Sequence, residues 1–458
     1  MSTSFGILGL LLGLVLLFVF ILKTKIHVFL ALIISASIIG LTNGVAPGEV
    51  VEHIQVGFGT TLGNIGIIIG FGVMMGQIFE MSGAAERMAK TFTKMLGKGR
   101  EEIAMALTGF IVSIPIFCDS GFVVLSPLAK AISRKIKKSV ISLGIALALG
   151  LVITHSLVPP TPGPVGVAAI FGVGIGSILL WGLILAVPMT AAGMVYGSWV
   201  GKKIYQLPGD KEGEWIRPQF QQPDYGNLDM DDNKTLPSFF MSILPILVPI
   251  VLILVNTTMT AYADINELEN FVHPMIEFLG APVIAVAIGL LIAIFGLAKG
   301  FTREVTLENM EEGIKSAGII ILVTGGGGAL GRIIGESGLG EEIALWLAGI
   351  GIPGILVPFA IASMVRLIQG SGTVAMLTAA SITAPMVDSL GVDPVFAALA
   401  ACVGSLVFSY FNDSYFWVVN RTLGIKDVKE QIRVWSVTTT IAWAVGFVCL
   451  LVLNGIFG

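Results

Sequence analysis

Residues 113–127, Ser-Ile-Pro-Ile-Phe-Cys-Asp-Ser-Gly-Phe-Val-Val-Leu-Ser-Pro, set a carboxylate, a hydroxyl and a glycine (Asp119, Ser120 and Gly121) between apolar arms at 102–117 and 122–132. A second stretch repeats the pattern around Gly370-Ser371-Gly372-Thr373-Val374, again between two short apolar arms. Each arm falls short of the ~20 apolar residues that a spanning helix needs. Each pair therefore reads as a hairpin that enters the membrane and turns back. At such a tip the second arm opens with unpaired backbone N–H groups and the positive end of a helix dipole, the arrangement that binds anions at helix N-termini. Ser120, Ser371 and Thr373 would add hydroxyl contacts, and Gly121 and Gly372 would let a ligand approach the backbone. The plainer reading is that these residues only cap interior helices.

Four ionisable residues are expected at depth: Asp119, His155, Arg366 and Asp413. Ionisable groups inside a membrane cost roughly 3 kcal/mol on insertion scales and are functional by default. Arg366, about one helical turn before its tip, could receive a carboxylate through its fork, or serve as the structural partner of Asp119 or Asp413. Asp119 leads as the proton site, because apolar surroundings and a nearby substrate anion both favour its neutral form. Asp413 lies beside Asn412 and Ser414, where unwound backbone and side-chain oxygens could hold a proton or coordinate Na+. His155 shortly precedes Pro159-Pro160-Thr161-Pro162-Gly163-Pro164 and could exchange protons near neutral pH, or be a packing residue. Thr161 and Gly163, within that break, join Asn412 and Ser414 as expected substrate contacts.

These residues sit in a chain that only a membrane can solvate. The 458 residues are 55% hydrophobic and 12% charged, with 57 glycines, and the mean hydropathy is +0.92. Apolar runs exceed what one soluble core could bury, so the expected class is an all-α polytopic membrane protein. The three cysteines lie in apolar runs and offer no disulfide framework or metal cluster. A net charge of -4 is too small to suggest nucleic acid as a partner. No cofactor is indicated. The first apolar run, 5–22, lacks a positive n-region and reads as a retained span.

Apolar segments fall at about 5–22, 26–42, 61–80, 139–176 with a break, 178–200, 237–255, 282–298, 316–335, 394–420 with a break and 434–457, with hairpins at about 102–132 and 353–389. The polar stretch 205–236 divides a first repeat, 1–204, from a second, 237–458. The halves match: Phe71-Gly72-Val73-Met74-Met75-Gly76 aligns with Gly326-Gly327-Gly328-Ala329-Leu330-Gly331 in hydropathy and glycine spacing, and both hairpins and broken segments recur in register. Short or Gly/Pro-interrupted segments at matching positions point to a transporter's midplane site. With the N-terminus outside, Lys23, Lys90, Lys138, Lys203, Arg303 and Lys426 all fall in the cytoplasm, while 43–60, 256–281, 336–352 and 388–393 hold no Lys or Arg, as the positive-inside rule demands. About five spans plus one re-entrant hairpin per half make the repeats inverted, with broken helices at the midplane. Trp181, Trp199 and Trp435 are expected at the interfaces. Gly325–Gly328 lacks the Gly-Lys-Ser/Thr of a phosphate loop and reads as a helix-packing surface or a flexible span.

Gly70-Phe71-Gly72, the proline-rich break at 159–164, Arg366 with Gly370-Ser371-Gly372-Thr373-Val374-Ala375, and Asn412-Asp413 with Phe416-Trp417 together resemble the gluconate permease family of bacterial proton symporters, essentially end to end. The resemblance implies a multi-pass protein of the bacterial inner membrane that takes up a sugar acid or small hydroxy acid, such as gluconate or glycerate, with protons. It also implies a wider ion-transporter fold with paired hairpins. Relatives include D-serine carriers, so the family leaves open an amino acid permease and a Na+-coupled carboxylate carrier. A rigid scaffold and a homodimer follow only from the fold analogy. An enzyme is disfavoured, since no HExxH, GxSxG or metal-spaced His/Cys/acid cluster occurs. A channel suits paired inverted hairpins less well than alternating access does.

Overall fold

The computed structural model describes residues 3–209, 214–224, 236–266, 272–336, 353–410 and 413–458. The chain runs through α1 (Thr3–Lys23), α2 (Val28–Thr42), α3 (Pro47–Ser82), α4 (Ala84–Leu96), α5 (Glu101–Val112), α6 (Cys118–Ile136), α7 (Val140–Leu157), α8 (Pro162–Phe171) and α9 (Ile175–Lys203). Two-residue strands β1 (Leu207–Pro208) and β2 (Trp215–Ile216) pair antiparallel. There follow α10 (Phe239–Asn266), α11 (Val272–Gly280), α12 (Pro282–Gly296), α13 (Arg303–Glu336), α14 (Leu356–Gln369), α15 (Gly372–Thr383), α16 (Pro394–Gly404), α17 (Ser414–Thr422), α18 (Val428–Gln431) and, after a π turn at Ile432–Ser436, α19 (Val437–Phe457). The expected all-helical membrane architecture is present. Among the described residues six helices are long and apolar enough to span, or seven if α3, bent by 44°, counts as one span.

The breaks have local causes. α7 stops at Leu157 because Pro159 and Pro160 follow, and α8 restarts with Pro162 at its first position, where a missing N–H costs nothing. α14 ends on Gly370 at φ +91°, a left-handed conformation that favours glycine. Ser371 then caps α15 by accepting from the Val374 N–H. Asp413 caps α17 in the same way through Tyr415 N–H. Both short-armed segments thus become helix pairs, α5 with α6 and α14 with α15.

Two departures from the hydropathy pattern stand out. α3 begins at Pro47, well before the apolar run at 61–80, and α13 begins at Arg303 instead of near 316. Polar residues such as Glu49, Glu52 and His53 mask the helix from an averaging window, although Glu49 reaches back to the Ala46 N–H at 3.4 Å to close its first turn. Helix α4 was not expected at all. It is amphipathic, burying Ala84, Ala85, Met88, Ala89 and Phe92 against α5, α6 and α10. Trp435 is not an interfacial anchor but fully buried, whereas Trp199 is 47% exposed.

Packing depends on close backbone approach, since lipid supplies no hydrophobic drive for helices to associate. α7 lies at the centre, buried along almost its whole length, and meets α5 through glycines. A Cβ at Gly109 would stand 2.4 Å from the Leu147 carbonyl oxygen, and one at Gly150 would stand 2.2 Å from that of Ala106. α3 and α13 run antiparallel: Gly57 abuts Gly328 and Arg332, while Gly313 abuts Val73 and Gln77. The glycine run contributes to this seam, with Gly325 against the Phe58 ring and Gly328 against Thr61. At the open end of the first hairpin Lys138 is held by Glu101 at 3.0 Å and by Glu102. Burial alone would lower the Lys138 pKa, but the two carboxylates outweigh it and raise the value above that of an ordinary lysine.

The seams predict opposite effects for one substitution at two glycines. Gly150→Ala forces the α5 and α7 backbones apart and is expected to destabilise by about 1–3 kcal/mol. Gly59→Ala, with nothing within 4 Å of the added methyl, should be neutral or gain up to about 1 kcal/mol of helix propensity. Thermal unfolding in detergent reads both, and equal shifts would show that the α5–α7 contact is not tight.

Candidate functional site

Three of the new helix starts meet at one cavity of ≈ 310 Å³. α6 contributes Asp119, α17 contributes Asp413 and Ser414, and the α14–α15 junction contributes Arg366, Ser371, Gly372 and Thr373. His155, on the last turn of α7, completes the wall with Ser405 after α16. The first turns of three helices, each with N–H groups that no turn of its own helix satisfies, therefore open on the same space. The summed dipole ends favour an anion there.

The charged centre is a buried pair. Arg366 and Asp413 are 6% and 8% exposed, and Arg366 Nη2 donates to Asp413 Oδ2 at 2.5 Å. Arg366 Nη1 donates to the Gly370 carbonyl, which fixes the tip that precedes Ser371. Asp413 Oδ2 also accepts from the Ser409 hydroxyl, and its Oδ1 from the Tyr415 N–H at 3.1 Å. Ser409 in turn accepts from Trp435 Nε1 at 2.9 Å. Arg366 Nε is buried with no hydrogen-bond partner among the described residues. Of the roles open to Arg366 on sequence grounds, pairing with Asp413 is the geometry observed.

Asp119 is differently placed. Its Oδ1 accepts from the Ser414 hydroxyl at a long 3.5 Å, and its Oδ2 lies 3.9 Å from the Cys118 thiol. His155 stacks obliquely on Phe117, centroids 5.6 Å apart, and its Nδ1 is buried without a hydrogen-bond partner among the described residues. The same ring borders a second, water-sized void of ≈ 10 Å³ beside Gly72, Pro115 and Thr161.

The other expected contacts lie elsewhere. Thr161 borders that small void and donates to the Val158 carbonyl at 2.6 Å. Gly163 lets α8 approach α15, since its Cβ would stand 2.8 Å from Met376 Sδ, and Gly121 faces Leu151 at 2.8 Å. Ser120 is half-buried and outside the cavity wall. Asn412 lies outside the described residues. Sequence reasoning missed Ser405, Ser409 and Trp435. Only the position of Ser409, four residues before Asp413 in a broken segment, could have signalled it.

A family model described as GntP family permease matches residues 5–456. The chain belongs to the GntP permease family. It is 48% identical over 455 residues to an uncharacterised permease of Haemophilus influenzae, covering 99% of this chain and 93% of that one. With a gluconate permease of Pseudomonas aeruginosa it shares 34% identity over 96% of this chain and 95% of the relative. In structure it is similar to the MtrF efflux pump of Neisseria gonorrhoeae, with a TM-score of 0.65 at 15% identity over 96% and 97% of the two chains, which establishes a common fold. It is also 32% identical, over 95% of this chain and 95% of the relative, to an inner membrane permease of Escherichia coli. This GntP family permease is thus a multi-pass transporter of the bacterial inner membrane and not an enzyme.

The buried pair makes a prediction about its own energetics. Asp413→Ala in this GntP family permease leaves the Arg366 charge uncompensated and should cost about 3–5 kcal/mol. Arg366→Met together with Asp413→Ala should recover much of that loss in the same thermal unfolding assay. A double variant no more stable than Asp413→Ala alone would mean that the pair is not what holds the junction.

Proposed function

We propose that this permease imports a small sugar acid or related hydroxy acid, such as gluconate or glycerate, in symport with protons. The observation that carries the reading is the cavity itself, where helix N-termini that favour an anion converge beside a carboxylate, Asp119, that has no ion-pair partner among the described residues, unlike Asp413. The printed name of the Pseudomonas aeruginosa relative, a gluconate permease, supports the substrate class.

In this mechanism the acid's carboxylate lies on the N–H groups at the start of α15, with Ser371 and Thr373 matching its hydroxyls. Protonation of Asp119 removes a negative charge from the cavity before the anion enters. His155, facing both the cavity and the small void, passes protons along the wall. Arg366 acts mainly by holding Gly370 and Asp413, and so aims the α15 start at the substrate. The antiparallel α3–α13 seam supports two inverted repeats, 1–204 and 237–458, joined by 205–236, with the Lys- and Arg-rich ends in the cytoplasm.

Proteoliposomes test the substrate and the coupling together. Wild-type vesicles are expected to exchange labelled for unlabelled gluconate, and to concentrate it under an inward proton gradient. Asp119→Asn, which imitates the protonated form, should retain exchange while losing gradient-driven accumulation. Accumulation with unchanged pH dependence in Asp119→Asn would remove Asp119 from the coupling step. Topology is read separately: cysteines at Met95 (69% exposed) and Val51 (54% exposed) should label from the cytoplasm and from outside, respectively. Labelling of both from one face would end the inverted-repeat reading.

A further inference from the structure

A second cavity, of ≈ 430 Å³, lies between the first half of α3, the end of α13, the end of α8 and the turn at Ala384–Met386. Its size falls in the range of about 300–1,000 Å³ that accommodates small organic ligands. The wall combines Thr60 and Thr61 with Arg332 and Glu336, and Gly331 and Gly335 keep it open beside Pro385. Because α3 and α13 run antiparallel, this cavity sits at the end of the seam remote from Arg303 and from the lysines of α4. The neighbouring segments 43–60 and 388–393 hold no Lys or Arg. A guanidinium at this end runs against the charge bias that sets topology, so its presence calls for a local use.

We propose that this cavity is an anion-binding vestibule, in which Arg332 receives the carboxylate of a small organic acid before the acid reaches the Asp119 cavity. The proposal rests on the transport reading above for the identity of the acid, but not for the anion preference. Two arginines compete for the role of first carboxylate ligand, and their energetics separate them. Arg366 is buried and locked to Asp413, and freeing it would leave two buried charges unpaired. Arg332 Nη2 meets Glu336 at 2.8 Å one helical turn away, with the two side chains 47% and 41% exposed. An exposed i,i+4 pair of this kind is screened by solvent and contributes little. A ligand carboxylate can therefore join or displace Glu336 at little cost, while the exposed Thr60 stands ready for a ligand hydroxyl.

The test uses the full-length protein in vesicles with Cys118→Ser and Cys449→Ser, since Cys118 lines the Asp119 cavity while Cys402 is buried. Thr60→Cys, or independently Gly335→Cys, whose added Cβ would meet nothing nearer than Pro385 at 4.0 Å, reports the vestibule by reaction with anionic and cationic methanethiosulfonate reagents. Arg332→Gln should lower the anionic-to-cationic rate ratio about fivefold, and Glu336→Gln should raise it. Gluconate should protect the thiol in the parent and not in Arg332→Gln, whose apparent KM for gluconate exchange should rise with Vmax little changed. An unchanged rate ratio in Arg332→Gln overturns the vestibule, even where exchange proceeds normally. A ratio that responds to Arg332 while acetate or another small carboxylate protects and gluconate does not upholds the vestibule and overturns the sugar-acid reading instead.

Discussion

Burying Arg366 and Asp413 together is the constraint from which the rest of the site follows. Each ion alone would cost several kcal/mol in this interior, so the remaining donors and acceptors need partners close by. The Gly370 carbonyl, the Ser409 hydroxyl and the Tyr415 N–H supply all but one of them, the Arg366 Nε–H being left without a partner among the described residues. That set closes only if α14 ends at Gly370 and α17 starts at Asp413 at one depth. The starts of α15 and α17 are thereby aimed at a common space, and Asp119 at the start of α6 arrives opposite them through Ser414.

A site built from broken helices needs a rigid surround, because backbone freed at a break is tolerated in a membrane only where protein or an aqueous cavity receives it. Glycine seams provide that surround. They bring α5 onto α7 and α3 onto α13 at distances no side chain would allow. Gly163 and Gly121, which sequence patterning placed among ligand contacts, belong to the same system through Met376 and Leu151. The hydroxyls and charges left facing the cavity are those that the seams do not use.

The connection between α9 and α10 is also more than a tether. Gln206 donates to the Leu423 carbonyl at 2.5 Å, and Arg217 forms two bonds to Glu430 at 2.8 and 2.7 Å. The bonded Glu430 raises the Arg217 pKa above its ordinary value. Lys130 of α6 lies over the Trp215 ring, 5.4 Å from its centroid. The open end of the first hairpin is thus tied to the short connection that follows α17, whose other end carries Asp413. A partly exposed pair such as Arg217–Glu430 adds little stability by itself, but it limits how far these elements can separate.

Residue types and run lengths alone determined the class of the protein, the two helix pairs around Asp119 and Gly370-Ser371-Gly372, the proline break after His155 and the four ionisable residues at depth. These features are local: a chain this apolar must form spans, prolines and glycines must end helices, and charges in such runs need partners. The tertiary structure decided which partner each polar group takes. Arg366 chose Asp413 over Asp119, Ser409 and Trp435 entered the network, and Thr161, Gly121 and Gly163 turned to neighbouring helices instead of the cavity. It also decided that α4 and the polar start of α3 are helical, because their apolar residues face neighbours that an averaged hydropathy cannot see. Those outcomes depend on contacts between residues hundreds of positions apart, such as Asp119 with Ser414, and a pattern read along one strand of sequence carries no record of which distant helix will fill the space beside it.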